Sequence, residues 1–256
     1  MKFRQIVFIL ILSLSIAGMS GAPRKISAYA YADRKDLHEF VVEEGVTEIG
    51  EYAFLGCENL ETIKLPSTLR VIGEGAFREC KKLRSLELPS GVAKIPRYMC
   101  AWNSSLEYVK LPSGLVDMGS HAFAYCYELK EIKFPKSLLH IGSNAFSFCR
   151  SLKEVALPAG MNELESYAFS SCTSLTKAVL PANRKMLGEL IFTGCTNLRE
   201  IVCMSPVPPT FDCDSPLLDP LEKHIIDNCK LIVPAGKVNL YRKAIGWRIF
   251  PNIEAG

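Results

Sequence analysis

Seven copies of one sequence pattern follow one another at an interval of 23 residues, and this repeat constrains the fold more than any other feature. The first copy consists of Ile49-Gly50, Ala53-Phe54, Cys57, Leu60, Ile63 and Leu65-Pro66. No insertion or deletion separates the copies, although in the third one Pro96 replaces the glycine and the Ala-Phe pair is lost. A period of about 20 to 50 residues indicates a solenoid or a propeller.

The content of one copy explains why the copies should stack. The segment that includes Ile63 and Leu65 alternates apolar and polar residues, which predicts a short strand ended by Pro66. A copy offers about seven apolar side chains worth roughly 1.5 to 3 kcal/mol each, whereas ordering its backbone costs about 1 to 2 kcal/mol per residue. One copy therefore cannot fold alone. We predict an α/β-type repeat solenoid, mostly β, with a parallel sheet of about seven to eight short strands and short helical or 3₁₀ turns on its other side.

These motifs resemble the BspA-like leucine-rich repeats, whose pattern is close to Leu-x-x-Ile-x-Leu-Pro, then Ile-Gly, then Ala-Phe-x-x-Cys. The resemblance covers residues 37 to about 204. It implies a right-handed leucine-rich-repeat superhelix in an extracytoplasmic protein, with a concave sheet face and a role in adhesion or protein binding at a cell surface. The family has no residue-level binding motif that could be transferred, so it implies a class of function and no site.

The two ends of the chain depart from the repeat. Residues 1–22 carry Lys2 and Arg4 before an apolar run and small residues, which predicts a secretory signal peptide that is too short for a membrane span. An uncleaved membrane anchor is the alternative. A final strand is expected over residues 230–234. The predicted segments are the signal peptide, 1–22; an N-terminal cap and half-repeat, 23–44; seven 23-residue repeats, 45–204; and a C-terminal cap, 205–256.

Charge and motif content exclude several classes of function. Loss of Lys2 and Arg4 with the signal peptide would reduce the net charge from +3 to +1, which is too small a surplus for nucleic-acid binding. The sequence shows no nucleophile elbow, phosphate loop, paired-carboxylate signature or Cys-x-x-Cys cluster with histidines. We therefore expect no enzymatic activity, no metal and no cofactor. Four histidines are interpreted as surface or rim residues without a partner: His38, His121, His140 and His224.

The repeat accounts for most of the ten cysteines. Six of them recur at one position and predict an inward-facing structural ladder of buried thiols, in which an asparagine replaces the third. The ladder is Cys57, Cys80, Asn103, Cys126, Cys149, Cys172 and Cys195. Oxidation between neighbouring ladder positions after export stays open. Cys100 and Cys203 are expected at inert core positions, and a disulfide between Cys213 and Cys229 is a hypothesis for the C-terminal cap. The tripeptide that begins at Asn103 also fits a glycosylation acceptor, which a buried ladder position would exclude.

The exposed side of the predicted sheet is the remaining candidate for a functional site. One column of outward side chains includes Tyr108, and the next changes from charged lysines to small apolar residues along the solenoid. Tyrosine is enriched at interface hot spots, and apolar side chains exposed together are suited to contact. The candidate protein-binding residues are Tyr108, Lys110, Glu131, Lys133, Glu154, Ala156, Val179 and Val202.

The sequence thus predicts an exported, non-enzymatic binding protein for a host or cell-envelope protein, because an extended wall suits a protein better than a small molecule. Its predicted location is extracytoplasmic: secreted, on the cell surface or in the periplasm. Two other functions stay open. Tyr98, Trp102 and Tyr108 could be stacking platforms for a glycan, and the chain could be a structural scaffold of the envelope.

Overall fold

The repeats form a solenoid of about ten coils that is mostly β-structure. The computed structural model describes residues 24–182, 187–211 and 216–256, so the predicted signal peptide lies outside the described residues. A typical coil contributes one short strand to each of two parallel ladders, and a run of turns closes the coil. The solenoid therefore has three sides, which we call the strand face, the second ladder and the turn face.

The described residues contain sixteen strands and two short helices. The strands are β1 (Arg24–Ile26), β2 (Glu39–Val41), β3 (Val46–Ile49), β4 (Thr62–Lys64), β5 (Val71–Ile72), β6 (Ser85–Glu87), β7 (Lys94–Ile95), β8 (Tyr108–Lys110), β9 (Asp117–Met118), β10 (His140–Ile141), β11 (Glu154–Ala156), β12 (Glu163–Leu164), β13 (Lys177–Val179), β14 (Glu200–Val202), β15 (Lys230–Val233) and β16 (Asn252–Ala255). The helices are α1 (Lys223–Ile226) and α2 (Val238–Lys243). None of the helices in these residues is long and apolar enough to cross a membrane.

The strand face is built from β2, β4, β6, β8, β11, β13, β14, β15 and β16, and its register follows the repeat. Paired residues from β2 to β14 lie 23 residues apart, as for Leu86 opposite Val109 and Ala178 opposite Ile201, whereas β14 pairs with β15 at 30 residues and β15 with β16 at 22. The central side chain of each three-residue strand is buried and its neighbours are more exposed. Because side chains alternate along a strand, this register sends every apolar centre into the same core.

The turn face differs from the predicted helical or 3₁₀ turns, because its runs of turns contain neither α- nor 3₁₀-helix in the described residues. Every second amide donates to the next coil, as from Phe54 N to Ala76 O at 2.8 Å, instead of within its own coil. Two positions in each run have left-handed backbone angles, such as Tyr98 at φ 57° and Trp102 at φ 63°. In a helix the amides donate hydrogen bonds within the helix and every residue has right-handed backbone angles. The pattern of the turn face therefore excludes a helix.

A column of stacked phenylalanine rings fills the interior behind the turn face. Phe123, Phe146, Phe169 and Phe192 are completely buried, and successive ring centroids lie 5.4, 5.2 and 5.9 Å apart. Offset aromatic stacking adds about 0.5 to 1.5 kcal/mol per pair beyond the burial of apolar area. Each coil is therefore stabilised mainly by its two neighbours, as expected for a repeat protein.

The segment predicted as an N-terminal cap and half-repeat, residues 23–44, forms a coil in its described part. β1 pairs in parallel with β3, and β2 pairs with β4. Tyr31 stands 23 residues before Phe54 and stacks on it at 5.0 Å, so a tyrosine takes the place of the repeat phenylalanine. Burial of Ile26, Leu37 and Phe40 completes the coil although the glycine and Ala-Phe signatures are missing.

The segment predicted as a C-terminal cap, residues 205–256, also extends the sheet. The predicted final strand is β15, which pairs with β14, and a further strand that was not predicted, β16, pairs with β15. The strand face thus has nine strands in the described residues rather than about seven to eight. Two completely buried aromatic side chains attach the segment, because Tyr241 Oη donates to Ser205 O at 2.9 Å and Trp247 Nε1 donates to Pro209 O at 2.8 Å.

Candidate functional site

The candidate protein-binding residues lie in two adjacent columns of the strand face. Tyr108 is bridged to Glu131 in one column, and Ala156, Val179 and Val202 are paired in register in the other. Alternation along each strand directs these side chains to the outside. The sequence pattern therefore placed them on one surface.

The first part of this surface is a shallow depression of about 120 Å³ between Tyr108, Lys110, Glu131 and Lys133. Tyr108 is 39% exposed. Lys110 Nζ lies 3.3 Å from Glu87 Oε2, and Lys133 Nζ lies 3.7 Å from Glu131 Oε1. Such exposed ion pairs are worth about 0 to 1 kcal/mol, so a partner could replace them at little cost.

A larger depression of about 380 Å³ continues from Glu131 and Lys133 to Glu154, Ala156 and Val179. It coincides with one of two breaks in the strand-face pairing of the described residues; the other separates β4 from β6. The coil at Glu131 forms a single bridge to Tyr108, and no strand pairing joins it to β11 in the described part of the chain.

Phe134 lies behind this break, where most copies have leucine. Its ring packs edge-on against Phe146 at 5.6 Å and Phe169 at 6.4 Å, so a larger side chain spans two coils there.

An apolar strip occupies the far half of the strand face and is longer than predicted. Val202 of β14 lies opposite Ile232 of β15, which adds a fourth member to Ala156, Val179 and Val202. The motif at β15, Leu231-Ile232-Val233-Pro234, could have identified this residue, because Ile232 takes the outward position of the repeat. Beside the strip, Lys177 Nζ lies 2.7 Å from Glu200 Oε1.

The predicted cysteine ladder positions are buried, and their thiols are hydrogen-bonded. Cys149 Sγ donates to Phe123 O at 3.3 Å and Cys172 Sγ donates to Phe146 O at 3.2 Å, with the same geometry elsewhere in the column. Burial raises the pKa of the Cys57 thiol to about 11 and the pKa of the deeper thiols as well. Protonated thiols are poor nucleophiles and poor metal ligands. In the described ranges no three His, Cys, Asp or Glu side chains are arranged to hold a metal ion.

The described residues test the predicted burial of Asn103 but not the predicted disulfide between Cys213 and Cys229. Cys229 is buried, but Cys213 lies outside the described residues, so their disulfide stays a prediction. Asn103 is completely buried, and its Oδ1 accepts a hydrogen bond from Cys80 N at 2.8 Å. The folded chain therefore does not expose this asparagine for glycosylation.

The interpretation of His140 as a histidine without a partner is wrong. His140 Nδ1 lies 2.6 Å from Asp117 Oδ1, and Nε2 lies 2.9 Å from Glu165 Oε1. Burial lowers the pKa of His140, but the hydrogen bonds to the two carboxylates outweigh burial and raise the pKa above its usual 6.5. Burial raises the pKa of Glu165, but hydrogen bonds from Ser143 and His140 lower it below 4.5. The partners belong to neighbouring coils, which a single copy of the repeat does not show.

This cluster predicts a pH-dependent contribution to stability. Because folding raises the pKa of His140, protonated His140 stabilises the fold fully at pH values below its unfolded pKa of about 6.5. This stabilisation is lost as pH rises through the folded pKa. Ionised Glu165, whose pKa is lowered by folding, stabilises the fold at pH values above about 4.5. This stabilisation is lost as pH falls through the folded pKa. We expect the free energy of unfolding of the wild type to exceed that of His140→Gln by about 1 kcal/mol near pH 5.5, and by less at pH 9. Urea unfolding at several pH values measures this, and a difference independent of pH would contradict it.

The proposed glycan platforms are not brought together. Tyr98 and Trp102 lie on the turn face, whereas Tyr108 lies on the strand face. Tyr98 stacks on His121 at 4.8 Å and Trp102 stacks on Tyr125 at 4.9 Å, and no ring contact joins either to Tyr108 among the described residues. The three rings therefore cannot form one platform.

The coil pattern, the parallel ladders and the open strand face define a leucine-rich-repeat solenoid. The sequence matches the family described as "BspA type Leucine rich repeat region" in six copies, over residues 24–140 and 116–208. The chain therefore belongs to the BspA-type leucine-rich-repeat family. It is a repeat protein of the protein-interaction type.

Solved structures of bacterial leucine-rich repeat proteins are similar to this chain. The T. pallidum leucine-rich repeat protein TpLRR is 32% identical, with a TM-score of 0.52, over 73% of this chain and 77% of that one. A protein of Bacteroides ovatus ATCC 8483 is 27% identical, with a TM-score of 0.34, over 65% and 61%. A leucine rich cell surface protein of Faecalibacterium prausnitzii A2-165 is 20% identical, with a TM-score of 0.47, over 91% and 83%. No protein with a curated functional description matches the sequence.

Proposed function

We propose that the chain is an exported, non-enzymatic binding protein that holds a protein of a host or of the cell envelope against its strand face. The observation that supports this most directly is the continuous outward surface around the break at Glu131, where two depressions join exposed charges to an apolar strip. The signal peptide predicted for residues 1–22 supports export.

The dimensions and the lining of this surface suit a protein. Nine strands at about 4.8 Å per strand give a face roughly 40 Å long, which is long enough for a standard interface of about 800 Å² per partner. Small-molecule sites are enclosed and mostly apolar. The larger depression instead has six charged side chains among its ten lining residues.

The surface is also asymmetric, which would give a partner one orientation. Lys110 and Lys133 stand at one end, with side chains 60% and 84% exposed. Ala156, Val179, Val202 and Ile232 stand toward the other end. A matching partner would place acidic side chains near the lysines and an apolar patch on the strip, since complementary charge fixes register while buried apolar contacts supply affinity.

A triple variant tests the site once capture from host or envelope extracts has identified a protein partner. Replacing Tyr108 with alanine and both Lys110 and Lys133 with glutamine removes the aromatic anchor and both exposed charges. We expect the partner to bind at least about 30-fold more weakly, because interface hot spots cost about 2 kcal/mol or more. Calorimetry measures the dissociation constant, and circular dichroism checks that the solenoid stays folded.

The control for this experiment lies on the second ladder. Val71 is 51% exposed and Lys94 is 77% exposed at its side chain, so Val71→Ala with Lys94→Gln makes a similar change on another side. The control should bind like wild type. A folded triple variant with unchanged affinity would place the site elsewhere, and binding confined to a carbohydrate array would contradict the proposed function.

A further inference from the structure

Three aromatic side chains form a continuous stack on the turn face, which we call the aromatic row: Trp102, Tyr125 and Phe148. The ring centroids of Trp102 and Tyr125 lie 4.9 Å apart with planes 9° from parallel, and those of Tyr125 and Phe148 lie 4.7 Å apart at 8°. Arg78 covers the outer face of Trp102 at 4.6 Å, and Arg150 lies 5.9 Å from the centre of Phe148. All three rings are half-buried.

The fold does not require aromatic residues at this position. The equivalent residues of other coils are Asp33, Gly56, Glu79, Ser171 and Gly194. All of these positions share left-handed backbone angles, and the row does too, with φ of 63° at Trp102, 63° at Tyr125 and 62° at Phe148. Bulky residues rarely adopt this conformation. Three successive aromatic residues there, where the same fold accepts glycine or serine, indicate a role other than stability.

The stacking determines which part of each ring a ligand can reach. Neighbouring rings or guanidinium groups cover the faces, so the ring edges point outward. An aromatic edge carries partial positive charge, in contrast to the negative face. A sugar would need an open face on which to stack, whereas a carboxylate can approach an edge. The row therefore favours acidic ligands over neutral glycans.

The charges around the row lead to the same ligand chemistry. Arg78 is neutralised by Glu79, whose Oε1 lies 3.1 Å from Arg78 Nε. Arg97 lies over the ring of Tyr98 and Arg150 over the ring of Tyr127, and neither has an ion pair with a described residue. Glu128 is exposed on the same side but forms no ion pair with Arg150 in the described ranges. Two exposed guanidinium groups are thus left for a partner.

His121 does not add to this positive charge at neutral pH. Its ring stacks on Tyr98 at 4.8 Å, and burial followed by the nearby charge of Arg97 lowers the pKa of His121 below 6.5. The positive charge of the surface is therefore carried by the arginines, which stay charged at every physiological pH.

We propose that the turn face around the aromatic row is a second interaction surface, which binds an acidic, extended segment of a protein. From Arg78 to Arg150 the surface crosses about three coil spacings of about 4.8 Å, or roughly 14 Å. An extended chain advances about 3.3 Å per residue, so the footprint is about four residues. Carboxylates of the segment pair with Arg97 and Arg150 and lie against the ring edges. This surface is separate from the strand face and does not depend on the function proposed for it.

Selection from displayed random peptides of about twelve residues, three times the expected footprint, tests this proposal with the folded chain. We expect the selected peptides to be rich in Asp and Glu and to bind more weakly as salt is added. The variant with Arg97→Gln and Arg150→Gln should bind them about 100-fold more weakly, at about tenfold for each lost charge-assisted pair. Tyr125→Ser, which copies the serine of the coil at Ser171, should reduce affinity several-fold.

The strand-face triple variant is the matched control and should bind the selected peptides like wild type. The proposal is overturned if no peptide is selected, if the selected peptides are not acidic, or if the double arginine variant keeps its affinity. Equal losses in the strand-face variant would also overturn it, because the binding would then belong to the other surface. Binding of polygalacturonate without binding of any acidic peptide would assign the surface to an acidic polysaccharide instead.

Discussion

Replacing Phe146 with alanine should destabilise the solenoid by about 3 to 5 kcal/mol, whereas replacing Phe148 in the same run of turns should cost about 1 kcal/mol or less. Phe146 is completely buried between Phe123 and Phe169, with ring centroids at 5.4 and 5.2 Å. Its removal leaves a cavity that neighbouring coils cannot fill without moving. Phe148 lies half-buried on the outside, so its removal leaves a site open to solvent and no enclosed cavity.

Urea unfolding of the two variants measures this difference directly. The pair is closely matched, since both changes remove the same ring from positions two residues apart. Comparable destabilisation by the two changes would mean that the inner column does not carry more of the stability than the outer row. A larger effect at Phe148 would contradict both the core assignment and the inference that the aromatic row serves binding.

Deleting residues 143–165 should leave a folded solenoid that is one coil shorter. Gly142 would then be joined to Ser166, which stands at the position that Ser143 holds in the coil before. Phe123 would face Phe169, as it now faces Phe146, so the core column would close again. Deleting only residues 143–153 should instead abolish folding, because half a coil brings apolar positions against polar ones.

The sequence was sufficient to predict features that depend on one copy and its period. The outward columns at Tyr108 and Lys110 follow from alternation within a strand, and the inward ladder at Cys149 and Cys172 follows from one residue type that recurs at a constant spacing of 23 residues. Both properties are local, since every coil repeats them in the same register.

Features that depend on the contact between coils were harder to predict. The turns resemble short helices within one copy, but their alternate amides donate to the next coil, as Phe54 N does to Ala76 O. The hydrogen bonds of His140 reach Asp117 and Glu165 in flanking coils. Adding or subtracting 23 places Asp117 beside His140, so the period itself was an available signal.

The C-terminal strand β16 was not predicted from the sequence for a different reason. β16 at Asn252–Ala255 has no Leu-Pro ending and follows Pro251, so nothing in its own residues indicates a repeat strand. Its position is fixed by the edge of β15, on which it pairs in register from Lys230 to Val233. An exposed sheet edge selects a strand through backbone hydrogen bonds, which depend little on the side chains.

The m-value of urea unfolding for the chain lacking residues 143–165 tests the stacked-coil account most directly, because the m-value scales with the surface exposed on unfolding. Removing one of about ten coils should lower it by roughly one tenth and keep a single cooperative transition. The 143–153 deletion should show no transition at all. If both deletions unfold the chain, or if both leave it folded, the coils are not interchangeable units stacked at a 23-residue register.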